Sequence, residues 1–189
     1  MFMEAQNQFI SSEQAKAVSR SEYYKILQKA DNGELVRIKR GVYAKEEQLA
    51  DVMIDVEGII PQGILCLWSA WNIHQLTTSL PQAYHVAVKR GRKVVLPEYP
   101  LIELHHVSDD LLDLGAEYMD VSNYHVRIYN LERSTCDAIK FRNKVGIEVC
   151  SEVINNYLSL RQRNIPKLMD YARKLRVANI MEKYLEVKL

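Results

Sequence analysis

Ser19-Arg20-Ser21-Glu22-Tyr23-Tyr24-Lys25-Ile26-Leu27-Gln28-Lys29-Ala30-Asp31-Asn32-Gly33-Glu34-Leu35-Val36-Arg37-Ile38-Lys39-Arg40-Gly41-Val42-Tyr43 is the stretch on which the fold turns. Ser19 followed three residues later by Glu22 is a capping box, in which the serine oxygen and the glutamate each satisfy an orphan N–H of a first helical turn. A helix is expected to open here. Tyr23, Ile26, Leu27 and Ala30 recur at helical spacing and share one face, which needs neighbours to pack on. Ser21, Lys25 and Gln28 centre the opposite face, flanked by Tyr24 and Lys29. Asn32-Gly33 tolerates positive φ and ends the helix in a turn. Residues 34–43 then read as a short hairpin. Leu35, Arg37 and Lys39 fall on one side of its first strand, Val36 and Ile38 on the other, and Lys39-Arg40-Gly41 forms the bend.

Upstream, Ser11 with Gln14 repeats the capping-box pattern and opens a helix to about Val18, so two short helices meet at a tight corner at Ser19. Residues 1–10 suggest a further short helix whose Phe2, Ala5, Phe9 and Ile10 cover the unit. A helix pair followed by a hairpin with a basic tip is the pattern of a winged helix-turn-helix, whose second helix enters the major groove of DNA. On that reading Arg20, Ser21, Tyr24 and Lys25 reach base edges, with Gln28 and Lys29 on the same face. Arg37, Lys39 and Arg40 on the wing would hold flanking phosphates. The plainer alternative is a small helical module with solvated lysines.

Charge supports the first reading. The net charge is only +1, but it is unevenly spread. Lys16 to Lys45 carries eight basic residues against Glu22, Asp31 and Glu34. Glu46 to Leu160 carries nine basic and sixteen acidic residues, and Arg161 to Arg176 carries six basic residues against Asp170 alone. Each basic segment is a candidate polyanion surface, because binding there releases condensed counterions. For the C-terminal segment a solvated face is the simpler account.

At 189 residues, nearly half of them hydrophobic, the chain suits two small domains. The expected division is 1–48, a winged helix-turn-helix, and 49–189, an α+β domain with a small β-sheet and several helices. No apolar run approaches the roughly 20 residues a membrane span needs. The N-terminus lacks a signal-peptide pattern, so a cytoplasmic protein with no membrane partner is expected. Cys66, Cys136 and Cys150 show no CxxC spacing and read as reduced and buried.

Along the second half, Ala44 to Ile54 reads as a linking helix, Pro61-Gln62-Gly63 as a break, and Ile64 to Leu76 as a buried helix preceded by a short strand. Tyr84–Val88, Lys93–Leu96, Leu101–Val107 and His125–Tyr129 have strand texture, with Arg90-Gly91-Arg92-Lys93 a basic turn between the first two. Helices are expected over Glu132–Arg142, Val149–Leu160, Pro166–Leu175 and Asn179–Leu185.

Leu35-Val36-Arg37-Ile38-Lys39-Arg40-Gly41-Val42-Tyr43, Leu67-Trp68-Ser69-Ala70 with Ile73-His74-Gln75-Leu76-Thr77, and Leu131-Glu132-Arg133-Ser134-Thr135-Cys136-Asp137 follow one another in the order of the AbiEi antitoxins. The chain resembles this family, from abortive-infection (type IV) toxin–antitoxin loci that give phage resistance, from about Ser11 onward. Glu132-Arg133-Ser134-Thr135 stands where the family commonly has Glu-Arg-Thr. The resemblance implies an N-terminal winged helix that binds double-stranded operator DNA and represses its own operon. It also implies a C-terminal domain that counters a nucleotidyltransferase-like toxin, with direct contact left open. Only the DNA-binding half is supported by the residues themselves.

The catalytic alternative is a metal-dependent, nuclease-like C-terminal domain targeted by the winged helix. Arg133 and Asp137 lie one helical turn apart beside Glu132, but such sets more often anchor a helix than catalyse. The adjacent His105-His106 point to opposite sides of a regular strand and cannot chelate together. His74, His85 and His125 have no i, i+4 partner, and Glu186-Val187-Lys188 matches a nuclease-like tripeptide without a preceding strand. No P-loop, GxGxxG or GxSxG occurs. The expectation is a non-enzyme with no cofactor and no metal.

Overall fold

The computed structural model describes residues 10–39, 41–45, 56–97, 100–121 and 124–188. Among these the chain is α+β, with ten helices and two sheets. The first sheet is built from β1 (Ile10–Ser11), β2 (Leu35–Lys39) and β3 (Val42–Lys45), antiparallel in the order β1-β3-β2. Between β1 and β2 lie α1 (Ser12–Val18) and α2 (Arg20–Asp31).

Local chemistry sets the ends of α2. Ser19 Oγ accepts the Glu22 N–H at 3.1 Å, as the capping box requires. The return arm does not form: Glu22 instead pairs with Lys25 Nζ at 2.8 Å, and the Ser19 N–H donates to the Ala15 carbonyl at 2.9 Å. With α1 abutting, its last turn already satisfies the donor that Glu22 would have taken. At the other end Gly33 has φ +78, and the Gly33 and Glu34 N–H groups donate to the Ala30 and Lys29 carbonyls. That is a Schellman closure. Ile26, Leu35 and Tyr43 form the small buried core beneath, with Ile10, Ala15, Leu27 and Ala30 around them.

The hairpin departs from strict alternation. Arg37 pairs with Tyr43 but Lys39 pairs with Val42, so one extra residue is accommodated at Ile38. The expected common side for Leu35, Arg37 and Lys39 therefore ends at the bulge. Ala44 and Lys45, expected to start a helix, instead complete β3, where their backbone pairs with Val36 and Leu35. The rest of that expected helix, to Val52, Met53 and Ile54, lies outside the described residues, as do residues 1–9 and the Ser11 and Gln14 side chains.

The second sheet runs β6-β5-β4-β8-β7. Its strands are β4 (Ile64–Leu65), β5 (Tyr84–Lys89), β6 (Ile102–Val107), β7 (Ala116–Val121) and β8 (Tyr124–Tyr129). β5/β6 and β4/β8 are parallel, β4/β5 and β7/β8 antiparallel. Strand periodicity sorts consecutive residues into two cores. Ile64, Ala87 and Tyr129 face one core, with Trp71, Ile139, Val153, Ile154, Leu168 and Met181; Leu65, Val86, Val88 and Ile128 face the other, with Val56, Ile59 and Ala70. Ala44, fully buried, joins the second core.

Helices α3 (Val56–Ile59), α4 (Leu67–Ile73) and α5 (Asp109–Leu112) punctuate the strands. After them come α6 (Leu131–Lys140), α7 (Arg142–Val145), α8 (Ile147–Ser159), α9 (Ile165–Lys174) and α10 (Ala178–Lys188). α6 is central: every residue from Glu132 to Ile139 is buried. Asn130 Oδ1 caps it by accepting the Arg133 N–H at 3.0 Å, and Trp71 Nε1 donates to the Ser134 carbonyl at 2.9 Å. α9 starts at Asn164, whose Oδ1 accepts the Lys167 N–H at 3.0 Å, with Pro166 in the first turn. Lys93–Leu96 forms no strand: both edges of β5 are taken by β4 and β6, and Val95 is 83 % exposed. All three cysteines are buried and free. Among the described residues no helix is long and apolar enough to cross a membrane.

Candidate nucleic-acid interface

α2 turns Ile26 into the core and leaves Arg20, Ser21, Tyr24, Lys25, Gln28 and Lys29 exposed along its outer side. All six residues assigned to this face from the sequence thus lie on one solvent-facing stripe. Its order is partly fixed. The Arg20 guanidinium stands 6.0 Å from the Tyr24 ring centre, and Tyr23 meets Tyr24 edge to face at 5.6 Å. Tyr24 is 55 % exposed, an aromatic surface presented rather than packed. Lys25 is held by Glu22, but an exposed helical pair of this kind contributes only about 0.3–0.5 kcal/mol. An anion approaching this face would displace it at small cost. On the hairpin Arg37 is exposed; the Lys39 side chain and all of Arg40 lie outside the described residues.

In the C-terminal basic segment both lysines are engaged in ion pairs. Lys167 Nζ pairs with the buried Glu132 at 3.1 Å, and Lys174 with Asp170 at 2.7 Å. Arg161, Arg163, Arg173 and Arg176 are exposed.

Glu132, Arg133 and Asp137 are all buried on α6, each with partners. Glu132 accepts from Tyr157 Oη at 3.2 Å as well as pairing with Lys167. Arg133 Nε donates to Asp137 Oδ1 at 3.1 Å, its Nη1 donates to the Leu111 and Leu114 carbonyls, and its guanidinium lies 4.1 Å from the Tyr129 ring centre. Among the described residues no buried side-chain nitrogen or oxygen lacks a partner. The helix-anchoring role accounts for every contact of the trio.

Beside them a cleft of about 180 Å³ is lined by Cys66, Arg90, His105, Arg133, Asp137 and Lys140 among others. Burial, then Asp137, pushes the Cys66 thiol well up, away from the reactive thiolate. Burial lowers Lys140. His74 Nε2 sits 2.7 Å from the Tyr129 carbonyl oxygen, and burial lowers its pKa. His125 is exposed, 2.7 Å from Asp120 and stacked on Tyr118. His106 is exposed, and Glu186 lies exposed on α10, with the Val187 and Lys188 side chains outside the described residues.

One arrangement is invisible to sequence reasoning. His85 and His105, apart in the chain, stand face to face across β5 and β6 with Glu103 beside them. Its signal was the strand alternation of Glu103 and His105, which only the β5/β6 register connects to His85. Compared with known proteins, the chain matches no protein-family model and no curated protein.

Proposed function

We propose that this chain is a DNA-binding antitoxin that represses its own operon. In this reading residues 1–48 form a winged helix-turn-helix and residues 49–189 the unit that counters a nucleotidyltransferase-like toxin in the cytoplasm. The DNA half rests on one observation: Arg20, Ser21, Tyr24, Lys25, Gln28 and Lys29 share the outer side of a helix followed directly by an antiparallel hairpin. The pairing of β1 with β3 in front of the helix pair supports the same topology. α2 would enter the major groove by its N-terminal half, with Arg20 and Lys25 towards guanine acceptors or phosphates and Arg37 on the flanking backbone. The antitoxin half rests on the resemblance to AbiEi antitoxins in three ordered sequence motifs, the last of which is α6.

The test is a gel shift with the DNA upstream of the chain's own gene. Specific binding should weaken steeply with salt and disappear in the double variant Arg20→Glu/Lys25→Glu. Site-specific binding retained by that variant would sink the assignment of α2. Co-expression with the neighbouring toxin gene tests the second half: growth should be restored by the wild-type chain.

A further inference from the structure

We propose that His85, Glu103 and His105 form a binding site for a single divalent transition-metal ion. The site follows from strand register. β5 and β6 are parallel, with His85 opposite Glu103 and Ala87 opposite His105. Glu103 and His105, two apart on β6, share a face with His85, so three side chains from two strands converge on one spot. Among the described residues β6 is the edge strand of the sheet, with no strand on its outer flank.

The converging atoms are the ones a metal needs. His85 Nδ1 and His105 Nε2 stand 2.9 Å apart. The Glu103 carboxylate places Oε2 at 3.8 Å from His85 Nδ1 and Oε1 at 3.7 Å from His105 Nε2. Two ligands each about 2.1 Å from one ion stand about 3.0 Å apart at a right angle and about 3.4 Å apart at a tetrahedral one. The two imidazoles already meet this spacing, and each carboxylate oxygen stands a few tenths of an ångström beyond the tetrahedral spacing from one of them. Its side chain is 60 % exposed and free to swing in, whereas the imidazoles are 9 % and 14 % exposed and held. Trp68 lies 5.1 Å from the His85 ring, Phe141 lies edge-on to His105 at 6.0 Å, and the His85 backbone N–H donates to Ser69 Oγ at 2.9 Å. Burial disfavours a proton on either imidazole. After burial, His85 and then Lys144 and His106 act in the same direction on His105, and Glu103 opposes them.

Two imidazoles and one carboxylate suit zinc, cobalt, nickel, manganese or ferrous iron rather than calcium or magnesium, which take oxygen ligands. Three protein ligands leave positions for water or a substrate oxygen. The bland account of the same geometry is a hydrogen-bonded histidine pair with a surface glutamate alongside. The two accounts differ in what an added metal does, and neither depends on the DNA reading.

The experiment uses the full chain, chelator-treated and then titrated with Co²⁺ by visible absorption and with Zn²⁺ by calorimetry. One ion per chain is expected, with a cobalt ligand-field band and no thiolate charge-transfer band, since the three cysteines lie outside the set. Glu103→Gln, at an exposed position that leaves the fold intact, should weaken binding tenfold or more, and His105→Ala should remove the band. Circular dichroism reports whether each variant is folded, and Glu103→Gln decides the matter if His105→Ala does not fold. No binding by the wild-type chain, or binding unchanged by Glu103→Gln, would overturn the proposal.

Discussion

Arg133 carries a full charge at 1 % exposure, and its surroundings explain how. Burial disfavours the guanidinium, but Asp137 and Tyr129 more than offset this, so its pKa is raised; burial pushes the Asp137 carboxyl up while Arg133 opposes it. The carbonyls of Leu111 and Leu114 take two more of its hydrogen bonds, tying α6 to α5 and to the loop that follows it. Gly115 completes the fit: its φ is +76, and a Cβ there would stand 2.6 Å from the Arg133 Cβ. Arg133→Met removes the cation and leaves Asp137 buried without a partner. The loss should be about 3–5 kcal/mol of unfolding free energy, read from urea denaturation followed by circular dichroism. A loss under about 1 kcal/mol would mean that Asp137 is neutral beforehand and the pair carries little. The pairing of Arg133 with Asp137 was legible in the sequence, because four residues on a helix is a fixed geometry. The two carbonyl partners were not, since they depend on how a distant segment returns.

At the scale of elements, three helices end in the same way but with different residues. α2, α4 and α9 close with Gly33, Gln75 and Arg176 at positive φ, and the paired N–H donations run back to Ala30 and Lys29, Asn72 and Trp71, and Arg173 and Ala172. Only glycine adopts that conformation without steric cost. Arg176→Gly should therefore raise stability by about 0.5–1 kcal/mol, and Gly33→Ala, where nothing stands within 4 Å of the added Cβ, should lower it by a similar amount. Paired urea melts of the two variants check the opposite signs. The same contrast explains what could be read beforehand: the end of α2 was legible because glycine marks it, while the expected helix through Leu76 overran α4 because Gln75 gives no such mark. β7 escaped notice because Glu117 and Asp120 weaken its strand texture, and Lys93–Leu96 drew a strand assignment on composition although β5 has no free edge for it. The histidine–glutamate cluster was hidden for the same reason, being a product of register between strands. α8 also clamps a loop: Glu152 accepts the Thr78 N–H at 2.9 Å and the Thr77 and Thr78 hydroxyls at 3.0 Å. The Thr78 N–H, then the hydroxyls, hold its carboxyl below the ordinary glutamate range. A depressed carboxylate stabilises the fold above its unfolded pKa, and that contribution is lost as pH falls through the folded value. Glu152→Gln should thus flatten part of the stability loss below about pH 4.5 while changing little of the pH dependence between neutrality and pH 6. Urea midpoints across that range measure it.

At the scale of the whole molecule, the two basic segments make different demands on a polyanion. In the first, α2 presents Arg20 and Lys29 with no ion-pair partner among the described residues, while Lys25 has one that is easily displaced. In the second, Lys167 and Lys174 are already paired, Lys167 with a carboxylate that is itself buried. Arg161, Arg163, Arg173 and Arg176 stay exposed, so the two segments differ in how their lysines are engaged rather than in whether basic groups reach the surface. Counterion release turns this into a measurement: the logarithm of the binding constant falls with the logarithm of salt by about 0.9 for each phosphate contacted. Lys29→Ala should reduce the magnitude of that slope by about one, whereas Ser21→Ala should weaken binding to the specific site and leave the slope unchanged. Arg161→Ala/Arg163→Ala should alter neither. Fluorescence anisotropy with a labelled duplex over a range of potassium chloride concentrations gives all four slopes. A tail variant that lowers the slope as much as Lys29→Ala would place phosphates against both basic segments at once, and the DNA would then have to span the two sheets rather than rest on α2 and its hairpin.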